Sequence, residues 1–263
     1  MCVLFFLFAL RLRYYNQRQN IKRDDDVAFS TVFKRYELKY LLTLSQRDRL
    51  KKLMAEHMIP DSYGKTVIRN IYFDTDDYRL IRQSIEKPVY KEKLRLRSYK
   101  KASEDTVVFA ELKKKYDHIV YKRRVSIGEQ DAVRWLSGEK PPESRSQITD
   151  EIDYFISYYK KLSPKAFISY EREAYFGKED ISFRITFDTD ILCRTDRLSL
   201  EEEAGGERIL PEENVLMEIK CSGGIPLWLG SFLSEEKLYK TSFSKYGTAY
   251  CRLIFPSVYR KED

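Results

Sequence analysis

Tyr90-Lys-Glu-Lys-Leu-Arg-Leu-Arg-Ser98 carries a cation at every odd position: Lys91, Lys93, Arg95 and Arg97. In an extended strand alternate side chains share a face, so four positive charges would stand in one row. Like charges on one strand face repel, and a solvated face normally interleaves both signs. A row of this kind points to an anionic partner with repeated charge, and phosphate is the natural candidate.

The same alternation recurs in other strand-like stretches. Arg35 and Lys39 flank Glu37; Lys113 and Lys115 follow Glu111; Lys122 and Arg124 share a face. Arg172 lies two positions from Tyr170, Arg184 shares a face with Thr186 and Asp188, and Glu218 shares one with Lys220. The basic positions on these faces far outnumber Glu37, Glu111, Asp188 and Glu218, whereas the whole chain holds 48 Lys+Arg against 41 Asp+Glu. The segregation of charge is therefore more telling than the net +7.

The chain of 263 residues, 43% hydrophobic with 20 Tyr and 15 Phe, can bury a core rich in strands. Cys2, Cys193, Cys221 and Cys251 have no metal-type spacing and fit a reduced, cytoplasmic protein. Only two histidines, His57 and His118, are present, which argues against a His-based metal site or a Ser-His-Asp triad. No Walker A string occurs. Cys2–Leu10 is apolar but too short to span a bilayer, and basic residues follow it. Residues 1–30 are read as a disordered or non-native leader, with a weak membrane-surface anchor as the alternative.

Strands are expected at Thr31–Leu42, Val67–Asp74, Tyr90–Lys100, Val107–Tyr116, His118–Ile127, Lys165–Phe176, Ile181–Arg194 and Asn214–Cys221. Helices are expected at Gln46–His57 (capped by Ser45), Asp76–Glu86, Glu129–Leu136, Asp150–Leu162, Pro226–Glu236 and Ser244–Leu253. Tight turns between strands favour an antiparallel sheet in one α+β domain, residues 31–257, with a tail at 258–263. Asp74 and Thr75 are read as capping the turn or helix that follows, and Asp188 and Glu111 as salt-bridge partners.

Eight short motifs occur in order: Phe33-Lys-Arg-Tyr-Glu-Leu-Lys-Tyr40, Tyr72-Phe-Asp-Thr75, Leu94-Arg-Leu-Arg97, Glu111-Leu-Lys113, Ser169-Tyr-Glu-Arg172, Arg184-Ile-Thr-Phe-Asp188, Leu216-Met-Glu-Ile-Lys220 and Phe243-Ser-Lys-Tyr-Gly247. From about Thr31 to Phe255 the chain resembles the polyphosphate polymerase domain of the vacuolar transporter chaperone (VTC) family, within the CYTH-like triphosphate tunnel metalloenzymes. The resemblance implies a closed antiparallel β-barrel with helices packed outside and a basic lumen. It implies transfer of the terminal phosphate of ATP to a growing inorganic polyphosphate chain, assisted by Mn²⁺ or Mg²⁺. Matched by motif, Lys39, Arg95, Arg97, Lys113, Arg172, Arg184 and Lys245 would be catalytic. Lys122, with Arg124 as a looser match, would bind substrate, and Glu218 would hold the metal; the cation faces add Arg35, Lys91, Lys93, Lys115 and Lys220 as substrate-binding.

The superfamily's Glu-x-Glu-x-Lys signature stands here as Arg35-x-Glu37-x-Lys39, which weakens the case for simple triphosphate hydrolysis. The family's SPX domain and membrane helices have no counterpart in this sequence, so membrane association would come through a partner or the leader. Rival readings are a triphosphate or polyphosphate hydrolase, a non-catalytic polyphosphate-binding module, and a nucleic-acid binder, whose charge would more often lie on an exposed face. Thinning the row of like charges also suggests that Arg97→Ala should leave the melting temperature unchanged or raised.

Overall fold

Residues 36–103, 106–117 and 119–259 are described in the computed structural model of the chain. The expected leader, the first residues of the expected strand Thr31–Leu42, Arg35 and residues 260–263 lie outside them. Residues 258–259 are the end of the last helix.

The strands are β1 (Tyr36–Thr43), β2 (Met58–Pro60), β3 (Thr66–Asp74), β4 (Tyr90–Ser98), β5 (Val107–Tyr116), β6 (Ile119–Gly128), β7 (Ser163–Gly177), β8 (Arg184–Arg194), β9 (Glu207–Arg208) and β10 (Asn214–Cys221). They form one sheet in the order β1-β10-β8-β7-β3-β4-β5-β6, with short β2 and β9 beside β7 and β8. All pairings are antiparallel.

The helices are α1 (Leu44–His57), α2 (Arg79–Ile85), α3 (Glu129–Leu136), α4 (Gln147–Tyr159), α5 (Leu227–Glu235), α6 (Lys245–Ala249) and α7 (Phe255–Tyr259), with a π-helical turn, Tyr250–Ile254, between the last two. Local chemistry sets their starts. Thr43, not Ser45, caps α1, because its hydroxyl accepts from the Gln46 amide while the Gln46 side chain accepts from the Thr43 amide. Ser45 is left to accept from Arg49 Nη1 at 2.7 Å. Ser146 caps α4 in the same way, so that helix begins three residues before the expected Asp150. Asp74 does cap ahead: its carboxylate accepts from the amides of Leu80 and Ile81, and Thr75 Oγ1 accepts from the Arg79 amide.

Two apolar cores lie on one face of the sheet, called here the outer face. Leu50 and Met54 of α1 and Leu229, Phe232 and Leu233 of α5 cover Leu42, Ile185, Phe187, Met217 and Ile219. Trp135 of α3 and Ile152 and Phe155 of α4 cover Ile71, Phe73, Leu94, Leu96, Ala110 and Leu112. Each fully buried aliphatic or aromatic side chain there contributes about 1.5–3 kcal/mol.

Two expectations are corrected. The helices do not all pack outside: Tyr246, Ala249 and Tyr250, from α6 and the π turn, pack on the inner-face residues Ile68, Tyr72, Ile168 and Tyr170. The Tyr72 and Tyr246 rings stack with centroids 4.7 Å apart. Nor is the sheet a closed barrel. Among the described residues β1 and β6 are the ends of the strand path and do not pair. A physical reason lies at the free edge of β1, where the segment 240–241 has taken the position a neighbouring strand would need. The Thr241 amide donates to the Lys39 carbonyl at 2.7 Å, and Tyr40 bridges Lys240.

Candidate functional site

Cross-strand register gathers the sequence-read cations on the inner face. Lys91 stands opposite Lys115, Lys93 opposite Lys113, and Lys113 opposite Lys122. The next row is Arg95, Glu111 and Arg124. Further along the strand order Lys39 faces Glu218, Glu37 faces Lys220, Lys220 faces Arg184, and Arg172 faces Asp188. Lys245 arrives from α6.

The buried carboxylates divide these cations into two groups. Glu111, 1% exposed, receives Arg95 through Nε at 2.9 Å and Nη2 at 2.7 Å, Lys122 at 2.7 Å and Arg124 at 3.1 Å. Burial alone would raise its carboxyl pKa, but Arg95, Arg97 and Lys122 outweigh that and hold it well below the usual range. Arg97 donates from Nε to Asn70 Oδ1 at 2.9 Å and from Nη2 to the Tyr170 hydroxyl at 3.0 Å. Arg95 Nη1 donates to the Tyr72 hydroxyl at 3.1 Å. Burial pushes the Tyr72 hydroxyl up, yet the two guanidiniums pull it below its ordinary value.

The second group centres on Asp188 and Glu218. Asp188 takes both prongs of Arg172, at 2.5 and 2.6 Å, and Lys245 at 2.5 Å. Glu218 faces Lys39 at 3.3 Å, Arg172 at 3.4 Å and Lys245 at 3.5 Å. Burial opposes ionisation of Glu218, but Lys245, Lys39 and Arg172 hold its pKa far below the usual carboxylate value. Glu37 bridges Lys39 at 3.5 Å and Lys113 at 3.3 Å, and despite burial its pKa falls to about 2, mainly through Lys113.

The lysines with weaker compensation titrate in the opposite sense. Burial, reinforced by Lys39, Lys113 and Lys91, drives Lys93 down to about 7; its ammonium donates to Ser244 Oγ at 2.9 Å. Burial takes Lys220 down to about 8 against the opposing pull of Glu218. Lys91, lowered by burial and by Lys115, donates to the Ser84 carbonyl at 3.2 Å. Lys115 takes part in none of the ion pairs among the described residues. Arg184, opposite Lys220, faces Asp61 at 3.6 Å with its guanidinium over the Phe176 ring.

Sequence reading missed the neutral residues that aim these cations. Asn70, Tyr72 and Tyr170 carry no charge to mark them, though the spacing of Asn70 and Tyr72 in β3 is the strand period of the cation rows. It also missed residues 240–244 as part of the site: the Phe243 carbonyl accepts from Lys39 at 3.0 Å and Ser244 from Lys93. The expected partnerships of Asp188 and Glu111 with cations are present. Glu218, expected as a metal ligand, is here the counter-charge of three cations, and the described residues contain no group of three His, Cys, Asp or Glu side chains that would hold a metal ion. A protein-only metal cage therefore does not fit. Glu218 would offer one carboxylate to an ion that takes its remaining oxygen ligands from elsewhere.

No helix among the described residues is long and apolar enough to cross a membrane. No curated protein matches the chain. Among solved structures it is similar to a Bacillus halodurans protein named as a candidate adenylate cyclase, at 16% identity and a TM-score of 0.50, covering 80% of this chain and 95% of that one. A candidate adenylyl cyclase from Hippeastrum, for which a dominant triphosphatase activity is described, aligns at 17% identity and a TM-score of 0.49 over 80% of this chain and 92% of that one. The first likeness is one of fold. The profile of the VTC domain matches residues 34–254, a span that contains both carboxylate-centred groups, and the chain belongs to the VTC domain family.

Proposed function

We propose that the chain is an ATP-dependent polyphosphate polymerase whose inner face is the phosphate channel. The observation that carries this reading is the register of lysine against lysine. Lys91 opposite Lys115, and Lys93 opposite Lys113 opposite Lys122, repel one another across the sheet, and a polyanion along the face would turn that repulsion into binding. Membership of the VTC domain family supports the same substrate class. The cytoplasm, which supplies ATP, is the compartment that goes with it.

Phosphoryl transfer depends mainly on in-line positioning and on neutralising charge at the equatorial oxygens. The Arg95 and Arg97 forks, held by Tyr72, Asn70 and Tyr170, are suited to grip phosphate oxygens in pairs. Arg172, Lys39 and Lys245 offer a second grip. They rest on Asp188 and Glu218, which keeps them oriented until phosphate competes for them. Glu218 is the carboxylate that would hold a divalent ion, Mn²⁺ or Mg²⁺, at this site. When bound, that ion supplies charge neutralisation between phosphate oxygens. The acceptor phosphate is already ionised, so no general base is required.

Incubating the purified protein with ATP and Mn²⁺ tests the reading. A phosphatase-sensitive polymer formed together with ADP supports it. Free phosphate without polymer assigns a hydrolase instead, and binding without turnover assigns a polyphosphate-binding module.

A further inference from the structure

Beyond the row of Arg95, Glu111 and Arg124 the inner face changes character. Lys113, Glu111 and Phe109 alternate along β5, so an aromatic ring takes the next inner position after the carboxylate. Arg124, opposite Glu111 in the ladder, lays its guanidinium carbon 3.6 Å from the Phe109 ring centroid. Tyr99, one residue past the end of β4, meets the Phe109 ring edge-on with centroids 5.7 Å apart. Its hydroxyl accepts from Arg124 Nη2 at 2.7 Å. Arg124 Nε lies 3.1 Å from Glu111 Oε1. The guanidinium is thus held by a ring, a hydroxyl and a carboxylate. Even so, the Arg124 side chain keeps 35% of its surface exposed and Tyr99 keeps 41%.

We propose that Arg124 and Tyr99, backed by Phe109, form a stacking platform for the adenine ring of the phosphate donor. The proposal rests on the reading of that donor as ATP. An arginine that grips phosphate does so with the donor edge of its fork. The edge of Arg124 is already turned to Glu111 and Tyr99, so what it has left to offer is mainly its plane. Guanidinium planes and tyrosine rings are both surfaces on which nucleobases stack, and the cation also attracts the π-face of the base. The spacing agrees with this use. Phe109 and Lys113 are four strand positions apart, about 13 Å, the scale of an extended nucleoside triphosphate. With the base on the platform, the phosphates run over the Arg95 and Arg97 forks towards the lysine rows. The contribution of the platform is confined to the nucleoside: it raises affinity for ATP and adds nothing for a bare triphosphate.

The test titrates ATP and tripolyphosphate, with EDTA present to stop turnover, into the full chain and its Tyr99→Ala and Tyr99→Phe variants. Stacking predicts that Tyr99→Ala weakens ATP by about tenfold and that Tyr99→Phe recovers it to within about threefold of wild type. Tripolyphosphate affinity should stay within about threefold of wild type in both variants. Equal weakening of ATP and tripolyphosphate makes Tyr99 a support for a phosphate-gripping Arg124 and overturns the proposal. So does an ATP affinity that Tyr99→Ala leaves unchanged, or a loss that Tyr99→Phe does not recover. Should the alanine variant fail to fold, wild-type protein carries the test with ethenoadenosine triphosphate. A stacked base should lose fluorescence at saturation, and emission equal to that of the free probe overturns the proposal. Wild-type protein that binds neither ATP nor tripolyphosphate overturns the polyphosphate reading itself, an outcome distinct from the others.

Discussion

Arg172 and Asp188 stand directly opposite each other on β7 and β8 and meet fork to fork, Nε to Oδ1 at 2.5 Å and Nη2 to Oδ2 at 2.6 Å. Asp188 is fully buried, and its other neighbour is the Lys245 ammonium. The carboxylate thus compensates a guanidinium and an ammonium at once.

Asp188→Asn should separate this compensating role from the packing of the strand. Removing one partner of a buried ion pair costs about 3–5 kcal/mol, because the remaining charges lose their compensation. Thermal unfolding of the variant should show that loss without ligand, and tripolyphosphate should recover most of it by supplying negative charge to Arg172 and Lys245. A loss that tripolyphosphate leaves untouched would mean that Asp188 acts through packing alone.

Arg97→Ala should lower synthesis by about 10²-fold, the usual cost of one preorganised contact to developing charge. Relief of repulsion within the cation row had suggested an unchanged or raised melting temperature. The contacts reverse that expectation: Arg97 is 6% exposed and satisfies Asn70 Oδ1 and the Tyr170 hydroxyl, so truncation strands two buried polar groups. Scanning calorimetry should show a lower melting temperature, and wild-type activity in the folded variant would remove Arg97 from the site.

Glu218→Gln should move the Mn²⁺ dependence of synthesis to higher concentration, by about tenfold for the loss of one carboxylate ligand. A purely counter-charge role predicts instead an unshifted metal curve and tighter binding of polyphosphate, since Lys39, Lys245 and Arg172 would lose their shared partner. Initial rates against Mn²⁺, with polyphosphate affinity measured on the same preparation, distinguish the two.

Lys93 and Lys220 should make binding proton-linked. Their pKa values in the folded protein, about 7 and about 8, lie below the ordinary lysine value of 10.5. Between those limits the unfolded chain holds more protons than the folded one, so the stability of the empty protein rises with pH from about 7 towards 10. Bound phosphate favours the charged forms, so binding near pH 8 should take up about one proton per site, and affinity should fall as pH rises through this window. Calorimetric titration of tripolyphosphate in buffers of different ionisation enthalpy measures the uptake. Lys93→Met should reduce it, and an uptake of zero in the wild type would contradict the assignment of these lysines to the channel.

The inner face was legible in the sequence because a strand's period of two writes its burial pattern directly onto alternate residues, as in Tyr90–Ser98 and Glu111–Lys115. The neutral members escaped for the same reason: Asn70, Tyr72 and Tyr170 obey the period but carry no charge to reveal a purpose. The cap of α1 was misplaced by two positions because Thr43 and Ser45 are both able hydroxyl caps, and only the Gln46 side chain, closing back on the Thr43 amide, decides between them. Closure of the sheet could not be read at all. It turns on the segment 240–241 occupying the edge of β1, a contact between residues some 200 positions apart in a stretch with no periodic pattern.

The pairing of β1 with β10 also governs how the protein is made. Lys39 faces Glu218 in that ladder, so roughly 180 residues must be synthesised before β1 meets its neighbour. At about 5–20 residues per second, the strand waits on the order of ten to forty seconds. During that time the apolar side chains of α1, Leu50 and Met54, also wait, because Met217, Ile219 and the α5 residues that cover them emerge last. Nascent chains of this protein therefore spend most of their synthesis with an unpaired first strand and half of the outer core uncovered, the interval in which a chaperone has most to protect.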